Sequence, residues 1–197
     1  MLKYEDALWG GVDAIAAAKG TNSEFNEHNW RAFSGTLQIG KKSPGISGIG
    51  VIHRVEPGEL ASYLAQQRRT RAQFRVHPAH RQNEYMPITF IEPMAPNLKA
   101  VGLDMAHANN RYTAAKKARD SGLAQVTGPI VLVQGSAKTP GFLFYAPFYH
   151  SGPSATIEQR RQRFAGMVYA PFCGQKADAR GLGPREPPRR HPDLRQR

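Results

Sequence analysis

One cysteine, Cys173, in 197 residues leaves no internal disulfide and no zinc site built on several thiolates. Long apolar runs are missing too: no stretch reaches the roughly 18 residues that a membrane-crossing helix needs. The N-terminus lacks the basic-then-apolar order of a signal peptide, so the sequence as written offers no route of export. Acidic residues are scarce, 15 Asp and Glu against 27 Lys and Arg, which gives a formal net charge of +12. Such an excess raises nucleic acid or an anionic membrane surface as a partner. Its distribution argues otherwise. Part falls in Lys176, Arg180, Arg185, Arg189, Arg190, Arg195 and Arg197, and part in the run Arg68, Arg69, Arg71 and Arg75. Neither group carries the stacking aromatics or helix-turn-helix spacing of a nucleic-acid module. A solvated face and a basic tail account for both.

What is present supports a core. Two-fifths of the chain is hydrophobic and aromatics recur up to Phe172, so one packed domain, or two small subdomains sharing a helix, is expected over most of the length. Leu2, Leu8, Val12, Ile15 and Ala16 mark a helix over 1–19 that stops at Gly20. A second helix fits 23–38, with Ser23 as N-cap and the Pro44-Gly45 turn beyond it. The β-branched run 46–55 reads as a strand, and Pro57 opens a third helix carrying Leu60, Tyr63 and Leu64 on one side. Short strands at 73–77 and 86–91 precede a helix over 110–120 that Gly122 ends. Strands at 123–127, 130–134 and 142–147, a helix at 155–164 and a strand at 166–170 complete an α+β pattern, with helices expected on one side of a mainly antiparallel sheet. From Gly174 the composition turns to Gly, Pro, Arg and Asp, which reads as a disordered basic tail.

Motifs for catalysis or metal binding do not assemble. His77-Pro-Ala-His80 offers two imidazoles, but Pro78 spoils helical spacing and no third ligand stands nearby in sequence. Gly45-Ile-Ser-Gly-Ile-Gly50 has the wrong glycine order for a dinucleotide turn, and Gly135-Ser-Ala-Lys-Thr139 lacks the glycine and the helix of a phosphate loop. No serine sits in a nucleophile-elbow context. An enzyme is therefore not expected, and no cofactor is implied.

A series of pieces in register carries a resemblance: Pro44-Gly45-Ile46 with Gly48-Ile49-Gly50, Tyr85-Met-Pro-Ile-Thr-Phe-Ile-Glu-Pro93, Gly102-Leu-Asp-Met105, Arg111 with Ala118-Arg-Asp-Ser-Gly122, Thr127-Gly-Pro129, and Gly141-Phe-Leu-Phe-Tyr-Ala-Pro147. In order and spacing, from about residue 10 to Phe172, they resemble the CHASE family. The resemblance implies a sensor domain on the periplasmic or extracellular face of the cytoplasmic membrane, feeding a histidine kinase or diguanylate cyclase in a two-component or related system. It implies a stalk helix over 1–20 and a sensor domain over 21–172. That domain would hold two PAS-like subdomains on antiparallel sheets, a distal one over about 44–134 and an incomplete proximal one over about 135–172, followed by the tail 173–197. It also implies a homodimer through the stalk and a membrane attachment only through transmembrane helices that this sequence does not contain.

Carried over by position, the resemblance makes Asp104 the carboxylate that accepts hydrogen bonds from an adenine-like ligand, and Val126, just before Thr127, a backbone contributor. As an aspartate ahead of a helix, Asp104 equally reads as a cap or turn residue. Tyr85 could offer its hydroxyl, and Phe90 and Phe144 suit an inner sheet face, as core or as pocket wall. Arg111 is expected to hold structure through a carboxylate or loop carbonyls, and the arginines of Thr156–Phe164 to face solvent. The ligand would be adenine-like, an amino acid or a peptide. After Phe172 the family pattern stops abruptly, which suggests a truncated or frameshifted end. Two other readings remain open, a basic nucleic-acid-associated protein and a small-molecule enzyme of PAS-like shape, the latter requiring paired perturbed groups that the sequence does not supply beside Asp104.

Overall fold

The computed structural model describes residues 2–20, 25–43, 45–133, 139–151 and 155–173, so Ser23, the 135–138 turn and the tail from Gly174 lie outside the described residues. In the last strand, Phe164–Cys173, every residue but the half-buried Phe172 is buried. A strand buried at successive positions needs cover on both faces, and it reads as an unbroken apolar run instead of an alternating one.

That strand, β6, lies at the middle of a six-stranded sheet with β1 (Ile49–His53), β2 (Ile88–Glu92), β3 (Gln125–Val126), β4 (Ile130–Leu132) and β5 (Thr139–Tyr149). The order is β2-β1-β6-β5-β3, with β4 paired to another part of β5, and every pairing is antiparallel. Strands from both sides of residue 135 are thus members of one sheet. Gly50 of β1 lies where a Cβ would meet the Tyr169 ring at 2.5 Å and the Phe90 carbonyl at 2.4 Å, so a side chain here would break the close passage of β1.

On one face Val51, Phe90, Phe144, Ala146, Phe148, Val168 and Ala170 meet α1 (Leu2–Gly20) and α2 (Glu27–Leu37) through Leu8, Ile15 and Trp30. The Trp30 Nε1–H donates to the Ile49 carbonyl at 3.1 Å, which joins α2 to the sheet. On the other face Ile52, Ile88, Leu143, Tyr145, Met167 and Tyr169 meet Ala114, Ala115 and Ala118 of α6 (Asn109–Ser121), together with Met105 and Ala106 of a short 3-10 turn. The architecture is α+β on an antiparallel sheet, as the pattern predicts. Its helices, however, cover both faces, because the central strands are apolar at nearly every position.

Local signals explain most helix ends. Pro57 opens a 3-10 turn that runs into α4 (Leu60–Arg68). Gly122 closes α6 at φ +73° with its N–H on the Ala118 carbonyl. Thr156 and Gln159 form a capping box on α7 (Ile157–Arg163). The second helix departs from expectation: it begins at Glu27, behind Asn26, whose side chain accepts from His28 and Asn29 N–H while the Asn29 side chain accepts from Asn26 N–H. It then breaks at Gln38, which is left-handed at φ +47°, before α3 (Ile39–Lys42). After β2 the chain makes α5 (Met94–Asn97).

The expected strand over 73–77 does not form. Beyond β2 there are isolated pairings only, Pro87 with Asp104 and Leu103 with His77. They prolong the sheet by two short, irregular steps at the β2 edge.

Candidate functional site

Gly102 explains how those outer steps are held. It has φ +79°, and a Cβ there would lie 2.0 Å from the Arg75 carbonyl oxygen. Only a glycine permits that approach and that backbone. The segment is then tied on by hydrogen bonds from His77 N–H to the Gly102 carbonyl (3.0 Å) and from Asp104 N–H to the His77 carbonyl (2.7 Å).

Between the docked segment and α4 lies a cavity of about 240 Å³. Leu60 and Leu64 of α4 and Val76, Pro78 and Ala79 opposite give it apolar walls; Arg68, Arg75, His80 and Tyr85 supply its polar groups. The His80 ring packs on the Tyr85 ring at 5.1 Å between centroids. His80 Nδ1 lies 3.1 Å from Gln82 N–H and accepts from it, which places the ring proton on Nε2. Nε2 in turn lies 2.9 Å from Asp104 Oδ2, a contact set by proximity more than by aim, since the N–H does not point along the line between the two atoms.

Asp104 itself is completely buried. Its Oδ1 accepts from Met86 N–H at 2.9 Å and from Ala106 N–H at 2.8 Å, the second bond capping the 3-10 turn Met105–His107. The carboxylate therefore lies behind His80 and not on the cavity surface. Next to it the buried Glu84 accepts from Arg54 Nε (2.8 Å) and the Tyr112 hydroxyl (2.9 Å) and has Arg119 at 3.8 Å, which ties the start of this segment to α6. Burial, reinforced by the bond to Glu84, pushes the Tyr112 phenol up to about 12.

The other side of α4 is wired to the sheet. The Tyr63 hydroxyl lies 2.8 Å from Thr89 Oγ1, which lies 2.7 Å from His53 Nδ1. Burial drives the Tyr63 phenol far above its ordinary range. Arg71, just beyond α4, stands over the Phe74 and Phe90 rings, donates to the Thr89 carbonyl and lies 3.8 Å from Glu27 of α2. Burial lowers its pKa.

A second hollow lies where β4 and α6 cover the sheet, among Ile88, Leu103, Met105, Arg111, Leu132 and Tyr169. Its volume is about 10 Å³, which is the room of a single water and not of a ligand. Arg111 donates to the Val131 carbonyl at 3.0 Å, a strand carbonyl and not a carboxylate.

Of the expected ligand residues, Tyr85 lines the larger cavity and Asp104 reaches it through His80. The others stand elsewhere. Val126 is 47% exposed in β3. Thr127 is buried, with its Oγ1 accepting from Leu143 N–H and its own N–H donating to the Leu143 carbonyl. Phe90 and Phe144 pack on the opposite face of the sheet, against the layer of α1 and α2. Their alternation is genuine, but a sheet with two buried faces has no single inner side. Of the arginines of α7, Arg161 is exposed, as expected, and forks onto the Asp120 carboxylate, while the half-buried Arg160 donates to the Asp120 carbonyl.

Sequence reasoning missed His80, Arg68 and Arg75 as cavity residues. His80 drew notice only as a metal ligand and the arginines only as a charged run; nothing local shows that residue 80 will face residue 104. Among the described residues no group of three or more His, Cys, Asp or Glu side chains is placed to hold a metal ion, and no helix is long and apolar enough to cross a membrane. Among known proteins, the family model described as CHASE domain matches residues 23–188. No curated protein matches the chain.

Proposed function

The chain belongs to the CHASE domain family, extracytoplasmic sensory domains of membrane signalling receptors, and from that premise we propose that it senses a small molecule held in the cavity between α4 and residues 75–85. The cavity is the observation that carries this reading. About 240 Å³, with apolar walls and a few aimed polar groups, suits a ligand of amino-acid or purine size and falls just below the ~300–1,000 Å³ of sites for larger molecules. Asp104 acts there by fixing His80, not by touching the ligand.

In the intact receptor, paired through its stalk and anchored by membrane helices, occupancy would bias two arrangements of α1. A ligand can do so only through unequal affinity for the two. The Tyr63–Thr89–His53 chain supports such a route, since it links the helix that walls the cavity to the sheet face that α1 and α2 cover.

A thermal-shift screen of the full chain against purines, amino acids and short peptides tests the reading. A binder at a hundred times its dissociation constant is expected to add about 2.7 kcal/mol, which raises the melting temperature by several degrees. Absence of any shift across the three classes, or a shift that survives filling the cavity with Ala79→Trp, would sink it.

A further inference from the structure

The cavity has a sign. Two guanidinium groups, Arg68 and Arg75, stand on its wall, and no Asp or Glu lines it. Arg75 makes no hydrogen bond or ion pair among the described residues, and Arg68 uses only its Nε, on the Phe74 carbonyl. Asp104 is not on the wall: it lies behind His80, with Oδ1 on two backbone N–H groups and Oδ2 2.9 Å from His80 Nε2. His80, accepting at Nδ1 from Gln82, adds a flat ring and no charge. Elsewhere in the fold several arginines meet acids, as with Arg31 and Glu92, Arg54 and Glu84, or Arg161 and Asp120. At the cavity they do not.

We infer that the ligand is an organic anion, a compact apolar body bearing one carboxylate or phosphate group, with the anionic end on Arg75 and Arg68 and the body against Leu60, Leu64, Val76 and Tyr85. This rests on the cavity being the ligand site and adds the class of molecule. Guanidinium donors match the oxygens of either head group, and a site partly withdrawn from water strengthens the pairing. Apolar walls reject inorganic anions, which gain nothing from them.

Isothermal titration and thermal shift of the full chain with phenylacetate, benzyl phosphate, phenylacetamide and adenine test the inference. Phenylacetate or benzyl phosphate is expected to bind saturably, and the one that does identifies the head group, while the isosteric neutral amide does not bind. Arg75→Gln, a change at an exposed and unpaired side chain, is expected to weaken binding about tenfold or more, the ordinary weight of a charge-assisted hydrogen bond. Arg81→Gln removes the same charge from the nearby surface and leaves affinity unchanged.

Equal binding of amide and acid overturns the inference. So does an Arg75→Gln affinity equal to that of the parent, or an equal loss in Arg81→Gln, which would make the effect one of overall charge. Adenine binding without either anion overturns the anionic class and leaves the cavity as a ligand site; no binding by any of the four probes also overturns the anionic class, while the screen of purines, amino acids and peptides decides the cavity itself.

Discussion

A carboxylate with no exposure persists in a fold only when its oxygens are filled. Asp104 meets that condition at Oδ1, with two backbone N–H groups, and sets Oδ2 2.9 Å from the His80 imidazole without an aimed hydrogen bond; it thereby joins three segments: the turn at 105–107, the strand leading from Met86, and the loop that carries His80. Asp104→Ala leaves those donors without their acceptor and is expected to lower unfolding stability by about 2–5 kcal/mol in urea denaturation. Asp104→Asn is the sharper probe. It can keep Oδ1 in place, but it sets an amide N–H₂ against His80 Nε2–H, so the imidazole must shift its proton to Nδ1 and give up the bond from Gln82 N–H. A change of His80 tautomer, read from its ring ¹⁵N shifts, is the expected result; an unchanged tautomer would mean that the two side chains do not meet. Gly102→Ala probes the same loop from the other side, because a Cβ would strike the Arg75 carbonyl and take a left-handed conformation as well.

Between elements, the clearest latch joins α6 to α7. Arg161 forks onto the Asp120 carboxylate at 3.0 and 2.6 Å, Arg119 reaches it at 2.7 Å, and Arg160 donates to the Asp120 carbonyl, one of the last in α6. Cations at a helix C-terminus suit the negative end of its dipole. The Arg161 guanidinium first, and Arg119 after it, hold the Asp120 carboxyl down to about 2 against its ordinary 3.8. A depressed folded-state value means stabilisation that is complete above about pH 4 and is lost as the pH falls toward 2. The group is near the surface, so salt weakens the effect. Asp120→Asn is therefore expected to flatten the fall of the urea midpoint between pH 4 and pH 2 at low ionic strength; an identical slope in both proteins would remove Asp120 from the latch. This scale also shows what a sequence reader can see. Pro57 and Gly122 were legible because each works within a turn of its own helix. The start of α2 was not, since Ser23 and Asn26 are equally good caps on paper and the register of Trp30 on Ile49 picks between them. Of the proposed site's surroundings, the sequence reading named only Tyr85, on the cavity wall, and Asp104, behind His80. His80 and Arg75 gain their roles from a loop folded back across Gly102, a contact between residues more than twenty apart that leaves no local periodicity.

Over the whole molecule, α4 stands between the proposed cavity and the layer of α1 and α2, and it touches both regions. Its Leu60 and Leu64 wall the cavity, while Tyr63, between them in sequence, bonds Thr89, which bonds His53, whose ring lies edge-on to Phe90 and Phe148 in the layer under α1 and α2. A single hydroxyl oxygen can accept from one neighbour and donate to the other, so Thr89 can relay a displacement that a valine of the same shape could not. Both tryptophans of the chain, Trp9 and Trp30, lie in the layer of α1 and α2, so their fluorescence reports that face alone. A compound that raises the melting temperature is expected to alter this fluorescence in the parent protein, although it binds on the far side of α4. In Thr89→Val the compound should still bind, as calorimetry will show, while the fluorescence response falls away and the free protein loses about 1–3 kcal/mol of stability from the broken bonds. A response that persists undiminished in Thr89→Val would place the coupling elsewhere, with Arg71 between Thr89 and Glu27 as the remaining connection from α4 to α2.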